Sequence, residues 1–427
     1  MLQSFVLTDD PRKDPIVIAK LTVALINANH IVRAFGIGLM TITFPLLAAT
    51  YGLHAITIGI VIGVSVFFGA VYTYAFTRSA SGCGAIPFVF LSSMMFLGSA
   101  VIYFQHPAQT GLLFVAVLGF IPPVGGIFSS ALEEGILAHV PDAQRTRTFA
   151  VYGMVGTAAA ALGSLAAGLP HSSGLSFQTG LEILLTVYGL MSLISVLIST
   201  VLLVAHRREK DKIQDHTEPQ PPIHYGRLNA SHGIVYRLAA LFVVDASGSG
   251  MVTTPLLVYW LHTHFGMSST HLALLFFGEQ LLEALSFPIA ERLSRRLGLL
   301  NTAVLTHIPS SLLLIAVPFS SNGTFAALFL LLRGLLVEMD VPTRQSYIAA
   351  VVHPTERVEA AGVTSIGKQI GRAIGPIGGG WMLSSFGALG PFVSGGVLKI
   401  AYDLSLWYSF RHIKPGSSSN MSQTLEE

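Results

Sequence analysis

The stretch Asp245-Ala-Ser-Gly-Ser-Gly-Met-Val252 places a carboxylate inside an apolar run that extends from about Val235 to Trp260. Earlier in the chain, Arg33-Ala-Phe-Gly-Ile-Gly-Leu-Met40 has the same alanine and both glycines at the same offsets, but begins with a cation. A charge buried at that depth in hydrocarbon is costly, so it is usually retained for a purpose. The two stretches predict a duplicated membrane protein with one charge of each sign facing a shared centre.

The composition of the chain is that of a membrane protein with many spans. Of its 427 residues, 52% are hydrophobic and only 11% are Asp, Glu, Lys or Arg, and its mean hydropathy is +0.65; a soluble domain has far more charge. The net charge of +2 gives no indication of nucleic-acid binding. One cysteine, Cys83, excludes an internal disulfide framework and a cysteine-based metal cluster. The N-terminus lacks the pattern of a signal peptide, so we expect a cytoplasmic lead-in.

Apolar runs of membrane-spanning length recur along the whole chain. A hydrocarbon layer of about 30 Å needs roughly 20 apolar residues in a helix. Twelve such runs, called spans 1 to 12 below, lie at about 22–50, 55–77, 86–104, 111–138, 148–169, 177–204, 234–260, 268–290, 299–319, 324–349, 361–385 and 390–411. One run alone would also fit a core helix of a soluble protein, but twelve in succession predict an all-α polytopic membrane protein.

The distribution of cations predicts the orientation of the spans. Cytoplasmic loops collect Lys and Arg, while short translocated loops avoid them. Six turns on one side contain neither residue, at about 52–54, 105–110, 169–177, 262–270, 320–323 and 386–390. The opposite side carries Arg12, Lys13, Arg78, Arg145, Arg147, Arg207, Arg208, Lys210, Lys212, Arg227, Arg292, Arg295, Arg296, Arg357 and Lys414. We therefore expect both termini in the cytoplasm and the protein in the cytoplasmic or inner membrane of the cell.

A polar stretch in the middle of the chain divides the spans into two sets of six. Residues 205–233 are rich in charge and proline, and such a segment is too polar to be buried. It is interpreted as a cytoplasmic linker, since it is too short for a separate domain. The predicted organisation is an N-terminal six-helix bundle over 1–204, the linker, a C-terminal six-helix bundle over 234–414 and a cytoplasmic tail over 415–427.

The most specific motif lies in span 11 and reads Gly362-x8-Gly371-x3-Gly375-Pro376-x2-Gly379-Gly380. Its glycines let helices approach closely, and Pro376 removes a backbone donor and bends the helix. With two pseudo-symmetric six-helix halves around a charged linker, the chain resembles the major facilitator superfamily, and the motif resembles that of its drug:proton antiporters. The family carries this motif on the fifth helix, so a generic close-packed helix is the alternative. The resemblance implies that Gly371, Gly375 and Pro376 lie at a rocking interface.

A second pattern that resembles the family follows span 8. The sequence Glu291-Arg292-x2-Arg295-Arg296 keeps the acid, the arginine and the basic pair of the family's turn between helices two and three. The resemblance implies a gate formed by Glu291 and Arg292, in which arginines cap helix ends and pair with a carboxylate in one conformation. Asp340 and Arg344 are four apart on one helical face, and we interpret them as a gate or a structural pair. For the basic pair, anchoring at the cytoplasmic surface is the alternative.

Five charged residues inside the spans are the candidate substrate and proton sites. The resemblance implies a central cavity lined by the first, fourth, seventh and tenth helices, which places Arg33, Asp245 and Arg333 near it. Glu279 and Glu283 in span 8 are i and i+4, so they share one helical face. Poorly solvated carboxylates at that depth are suited to carry a proton.

For each of these charges a fixed ion pair is the alternative interpretation. One such alternative is a pair between Arg33 and Asp245, and a pair of this kind that breaks during transport would also fit a transport role. Lys399 and Asp403 in span 12 are i and i+4, and we interpret them as a self-neutralising pair on a supporting helix.

The sequence favours a carrier over an enzyme. It contains no nucleotide-binding loop, no dinucleotide fingerprint and no HExxH motif, so we expect no enzymatic activity and no cofactor. The interpretation is a monomeric secondary transporter that exports a small organic solute in exchange for protons by alternating access. Proton-coupled uptake remains an alternative. Metal-ion efflux is a weaker one, because the histidines near the translocated turns are spread over four turns. From another class, a non-transporting sensor or assembly partner also remains.

Overall fold

A computed structural model describes residues 15–105, 109–123, 125–137, 142–213, 232–339, 352 and 357–411, and most of these residues are helical. Much of the predicted linker, the whole tail, Asp340 and Arg344 therefore lie outside the described residues, as does the side chain of Glu291.

The first half of the chain contains eight described helices. They are α1 (Pro15–Thr50), α2 (Ala55–Cys83), α3 (Ile86–Phe104), α4 (Gln109–Val117), α5 (Ile127–Leu137), α6 (Asp142–Ala166), the single turn α7 (Leu169–Ser172) and α8 (Phe177–Ile213). Span 4 is broken into α4 and α5, because its middle contains two consecutive prolines, which donate no backbone hydrogen bond. Gly119 and Gly126 flank them with positive φ angles of 75° and 69°, a conformation that glycine adopts most readily.

The second half contains α9 (His232–Met251), α10 (Thr254–Phe265), α11 (Ser269–Leu297), α12 (Leu299–Ala316), a 3-10 turn at Val317–Phe319, α13 (Gly323–Val337), α14 (Arg357–Phe386) and α15 (Leu389–Phe410). Span 7 is broken into α9 and α10. Thr253 at the start of α10 has an extended backbone, and Pro255 occupies an early position in that helix, where its missing N–H costs nothing.

Each of the twelve predicted spans coincides with a helix or a broken helix of the described residues. Within the described part of the chain, seven helices or helix pairs are long and apolar enough to cross a membrane. The other spans fall short of that threshold because they are broken, short or interrupted by charge. Span 10 was predicted to reach residue 349, but α13 ends at Val337 and the residues from 340 lie outside the described part.

The helices pack in matching pairs within the two halves. In the first half α1 packs on α6 and α8, and in the second half α9 packs on α14 and α15. Likewise α3 packs on α8, and α12 packs on α15. The halves meet where α14 lies against α2, α11 against α6, and α10 against α1. This arrangement places α14 between its own half and the first half.

Glycines let α14 approach both of its neighbours. A Cβ atom at Gly375 would lie 2.6 Å from the Ser247 carbonyl oxygen of α9, and one at Gly371 would lie 2.5 Å from that of Val243. On the other side of α14, a Cβ atom at Gly59 of α2 would collide with the Pro376 carbonyl oxygen. Pro376 therefore contacts the first half, as predicted for a residue between the halves, whereas Gly371 and Gly375 contact α9 within their own half.

Gly379 and Gly378 provide a matched test of this packing. We expect Gly379→Ala to destabilise the protein by about 1–3 kcal/mol, because the new methyl group would collide with the Met251 carbonyl oxygen. Gly378→Ala should change stability by no more than about 0.5 kcal/mol, since its Cβ atom would meet nothing closer than 3.8 Å. Thermal unfolding midpoints of the purified variants in detergent measure both effects. Equal midpoints would contradict the packing described for α14 and α9.

Candidate functional site

Arg33 of α1 forms a buried ion pair with Glu133 of α5. Its Nη1 and Nη2 atoms donate to Oε1 and Oε2 of Glu133 at 2.6 and 2.7 Å, the two-pronged geometry that makes arginine–carboxylate pairs strong. Tyr152 of α6 donates to Oε2 at 2.7 Å, and the Asn29 amide donates to Oε1 at 2.9 Å. Glu133 is fully buried. We call Asn29, Arg33, Glu133 and Tyr152 the first-half cluster.

The pair between Arg33 and Asp245, offered as an alternative interpretation, is therefore wrong in this structure. Arg33 lies on a face of α1 that packs within the first half, where Glu133 contacts both ends of its guanidinium. The sequence held a signal for this partner, because Glu133 falls inside the apolar span 4. In the structure Glu133 lies well inside α5.

Asp245 of α9 pairs within the second half. Lys399 of α15 lies 3.2 Å from Oδ1 of Asp245 and donates to Oγ of Ser249 at 2.7 Å. His307 of α12 contacts both carboxylates of the group, with Nδ1 2.9 Å from Asp403 and Nε2 4.0 Å from Asp245. These five residues form the second-half cluster.

The self-neutralising pair expected for Lys399 and Asp403 is also wrong. The two residues share a face of α15, but each contacts a residue of another helix, Asp245 for Lys399 and His307 for Asp403. Both side chains are buried, at 2% exposure, and α15 packs directly on α9 and α12. Lys399 and Asp403 therefore pair with residues of α9 and α12, and not with each other.

Glu279 of α11 and Arg333 of α13 form a third ion pair, with 3.1 Å between Oε1 and Nη1. Glu283 lies one turn further along α11. All three residues line a cavity of about 310 Å³ between the two halves. The first half contributes Ile62 and Val66 of α2, and Pro123 at the break between α4 and α5, to its wall.

The remaining cavity wall comes from three parts of the second half. The junction of α9 and α10 contributes Ser249, Gly250 and Val252–Thr254, α13 and its end contribute Val337 and Glu338, and α14 contributes Arg372 and Pro376. The cavity therefore combines carboxylates and guanidinium groups with the free start of a helix at a break in a span. Transporters of known fold bind polar solutes at such breaks.

The structure divides the five predicted site residues into two groups. Glu279, Glu283 and Arg333 line the cavity, whereas Arg33 and Asp245 are absent from its described wall and belong to the two clusters. Glu338 and Arg372 complete the charged lining. Sequence reasoning missed both as cavity residues, although Arg372 is a charge inside the apolar span 11 and Glu338 is a charge inside span 10. Arg292, predicted at a gate, is exposed at the far end of α11.

The sequence model of the Major Facilitator Superfamily matches residues 238–424, which include most of the second half. A curated relative is 26% identical over 424 residues, covering 91% of this chain and 94% of its own length; it is the uncharacterized membrane protein YJR124C of Saccharomyces cerevisiae. Together with the apolar helices, these similarities identify an integral membrane protein.

Solved transporter structures share the fold. A bacterial homologue of the human lysosomal transporter Spinster, in an inward-facing and unoccupied conformation, superimposes with a TM-score of 0.68 at 13% identity, covering 93% of this chain and 96% of the other. The nucleoside transporter NupG gives 0.65 at 15% identity over 92% and 98%. A D-xylose-proton symporter gives 0.64 at 11% identity over 94% and 98%. The predicted fold class, two six-helix bundles of the major facilitator type, is confirmed.

Proposed function

We propose that this chain is a secondary active transporter that works by alternating access and binds its solute in the central cavity. One observation carries the proposal: the cavity lies between the two halves and is lined by charged side chains from the second half and apolar side chains from the first. A carrier that rocks one half against the other needs its binding site at that position.

The contacts between the halves support one particular conformation of the transport cycle. Near the turns without Lys or Arg, the Ile56 N–H donates to Oγ of Ser384 at 3.1 Å, and the Thr270 hydroxyl donates to the Gly168 carbonyl oxygen at 2.9 Å. Further along, α6 and α11 leave a space of about 680 Å³ between the stretches 153–162 and 277–284. We infer a conformation in which the halves are in contact at the end without cations, opposite to the cation-rich end that we place in the cytoplasm.

The charges of the cavity favour a cationic or zwitterionic organic solute. Three carboxylates, on Glu279, Glu283 and Glu338, face two guanidinium groups, on Arg333 and Arg372. We propose export of such a solute in exchange for protons, consistent with the glycine and proline motif of α14. The transporters of similar fold named above act on different solutes, so the side chains of the cavity, and not the fold, must select the cargo.

Flux measurements in liposomes test this proposal. We expect wild-type protein to move at least one member of a panel of organic cations and zwitterions, and Glu283→Gln to slow that flux about thirtyfold, the effect of losing a charged contact worth about 2 kcal/mol. Glu182→Gln is the matched control, because Glu182 is an exposed carboxylate of α8. The assignment of the cavity fails if Glu283→Gln transports like wild type. If wild type moves no compound of the panel, the transporter proposal itself fails.

A further inference from the structure

The imidazole of His307 lies between two buried carboxylates. Its Nδ1 atom is 2.9 Å from both oxygens of Asp403, and its Nε2 atom is 4.0 Å from Oδ1 of Asp245. His307 and Asp403 are each 2% exposed, and Asp245 is 9% exposed. Both ring nitrogens of this histidine therefore face negative charge inside the bundle.

This placement favours an imidazolium ion. A neutral imidazole has one donor and one acceptor nitrogen, so it can satisfy a carboxylate on one side only. The protonated ring donates from both nitrogens and supplies a positive charge between the two acids. Histidine is also the side chain whose charge changes most readily near neutral pH.

The first-half cluster shows the contrasting case. There the two oxygens of Glu133 are met by the guanidinium of Arg33, which is always charged. His30 also lies beside this pair, with Nδ1 3.5 Å from Oε2 of Glu133, but the guanidinium balances the carboxylate whether or not that imidazole carries a proton. In the second-half cluster, the positive charges that the described contacts bring to Asp245 and Asp403 come from Lys399 and from His307, and only the imidazole readily exchanges its proton.

The second-half cluster is connected to the cavity. Lys399 contacts Asp245 and also donates to Ser249, which lines the cavity where α9 ends. A change in the charge of His307 alters how strongly Asp245 attracts Lys399, and hence the contact of Lys399 with the cavity wall. Proton binding and cavity shape are thus linked through one side chain.

The charged and titratable groups around His307 come from several helices. Besides Asp245 on α9 and Asp403 with Lys399 on α15, the ring of Tyr402 meets the imidazole edge to face, with 6.2 Å between centroids. From α14, Lys368 lies over the ring of Phe242, one turn before Asp245.

We propose that His307, held between Asp245 and Asp403, binds the proton that is exchanged for solute, at a site separate from the substrate cavity. The proposal rests on the transport function proposed above and adds the location of its coupling ion. The step is reversible protonation of the imidazole, with the proton supplied and removed by water on either side of the membrane.

Two measurements on the full-length chain test the proton site. The first counts the protons that purified protein in detergent takes up as the pH is lowered from about 8 to about 5, the range in which imidazoles titrate. We expect His307→Gln to take up about one proton fewer than wild type. His232→Gln removes an exposed imidazole instead. Its proton count is the reference for the loss of a histidine outside the cluster. A His307→Gln count equal to that of wild type overturns the proposal.

The second measurement follows solute and proton movement together in liposomes. We expect wild type and His232→Gln to move protons with solute, and both His307→Gln and Asp403→Asn to move solute without protons. Asp403→Asn keeps the imidazole but removes one of its carboxylates, so it provides a second variant if His307→Gln folds poorly. Coupled proton movement that persists in both cluster variants overturns the proposal. Absence of solute flux in wild type would instead refute the transport function, while the proton count still decides whether His307 binds the proton.

Discussion

Replacing Glu133 with alanine should destabilise the protein by about 3–5 kcal/mol, the cost of leaving one member of a buried ion pair without its partner. Arg33 is only 3% exposed, and its guanidinium cannot lose its charge. The same change deprives Asn29 and Tyr152 of their acceptor. Thermal or denaturant unfolding of purified protein in detergent measures the effect.

The adjacent residue supplies the control for this prediction. Glu134 is exposed, so Glu134→Ala should change stability by no more than about 0.5 kcal/mol. The double variant Arg33→Met with Glu133→Leu should recover much of the loss, because an apolar pair often replaces a buried ion pair without penalty. Similar destabilisation by Glu133→Ala and Glu134→Ala would show that Glu133 is not buried against Arg33.

Joining the two halves at positions 56 and 384 should abolish transport. The Ile56 N–H and the Ser384 hydroxyl are hydrogen-bonded across the interface, so Ile56→Cys and Ser384→Cys in a Cys83→Ser background place two thiols within reach of a short bismaleimide. Alternating access requires this contact to open, because the binding site of a carrier must reach each side of the membrane in turn. We expect full loss of solute flux after cross-linking and normal flux in the untreated variant.

A pair within one half separates this effect from cross-linking itself. Trp407 of α15 donates to Asn301 of α12 at 3.1 Å, and both helices belong to the second half. Asn301→Cys with Trp407→Cys, treated with the same reagent, should keep its flux. Continued transport by the cross-linked 56–384 variant would rule out rocking of the halves about this interface.

Sequence alone located the helices well, because membrane spans leave a strong local signal. The hydrocarbon core demands long apolar runs, and all twelve predicted runs fall on described helices. The breaks in spans 4 and 7 were harder to predict. Two prolines and a Thr-Pro step mark them, but proline is also tolerated in intact membrane helices, and Pro309 lies inside α12.

The partners of the buried charges were not predictable in the same way. Which face of a helix meets which neighbour depends on packing between distant segments, and the symmetry of Arg33 and Asp245 favoured a pair across the centre. The structure pairs each of them within its own half, with Glu133 and with Lys399. Glu279 and Glu283 were correctly placed on one face of a helix, since i and i+4 spacing is a local property.

The buried ion pairs described above each lie within one half, and this has a mechanical consequence. The halves can separate or close along the contacts of α14 with α2 and of α11 with α6 without breaking any of these ion pairs. The charges of these pairs are therefore balanced inside their own half, and the two halves contact each other through backbone atoms and small residues. A movement of one half against the other must instead break close backbone contacts and the hydrogen bonds between the halves, such as those of Ile56 with Ser384 and of Thr270 with Gly168.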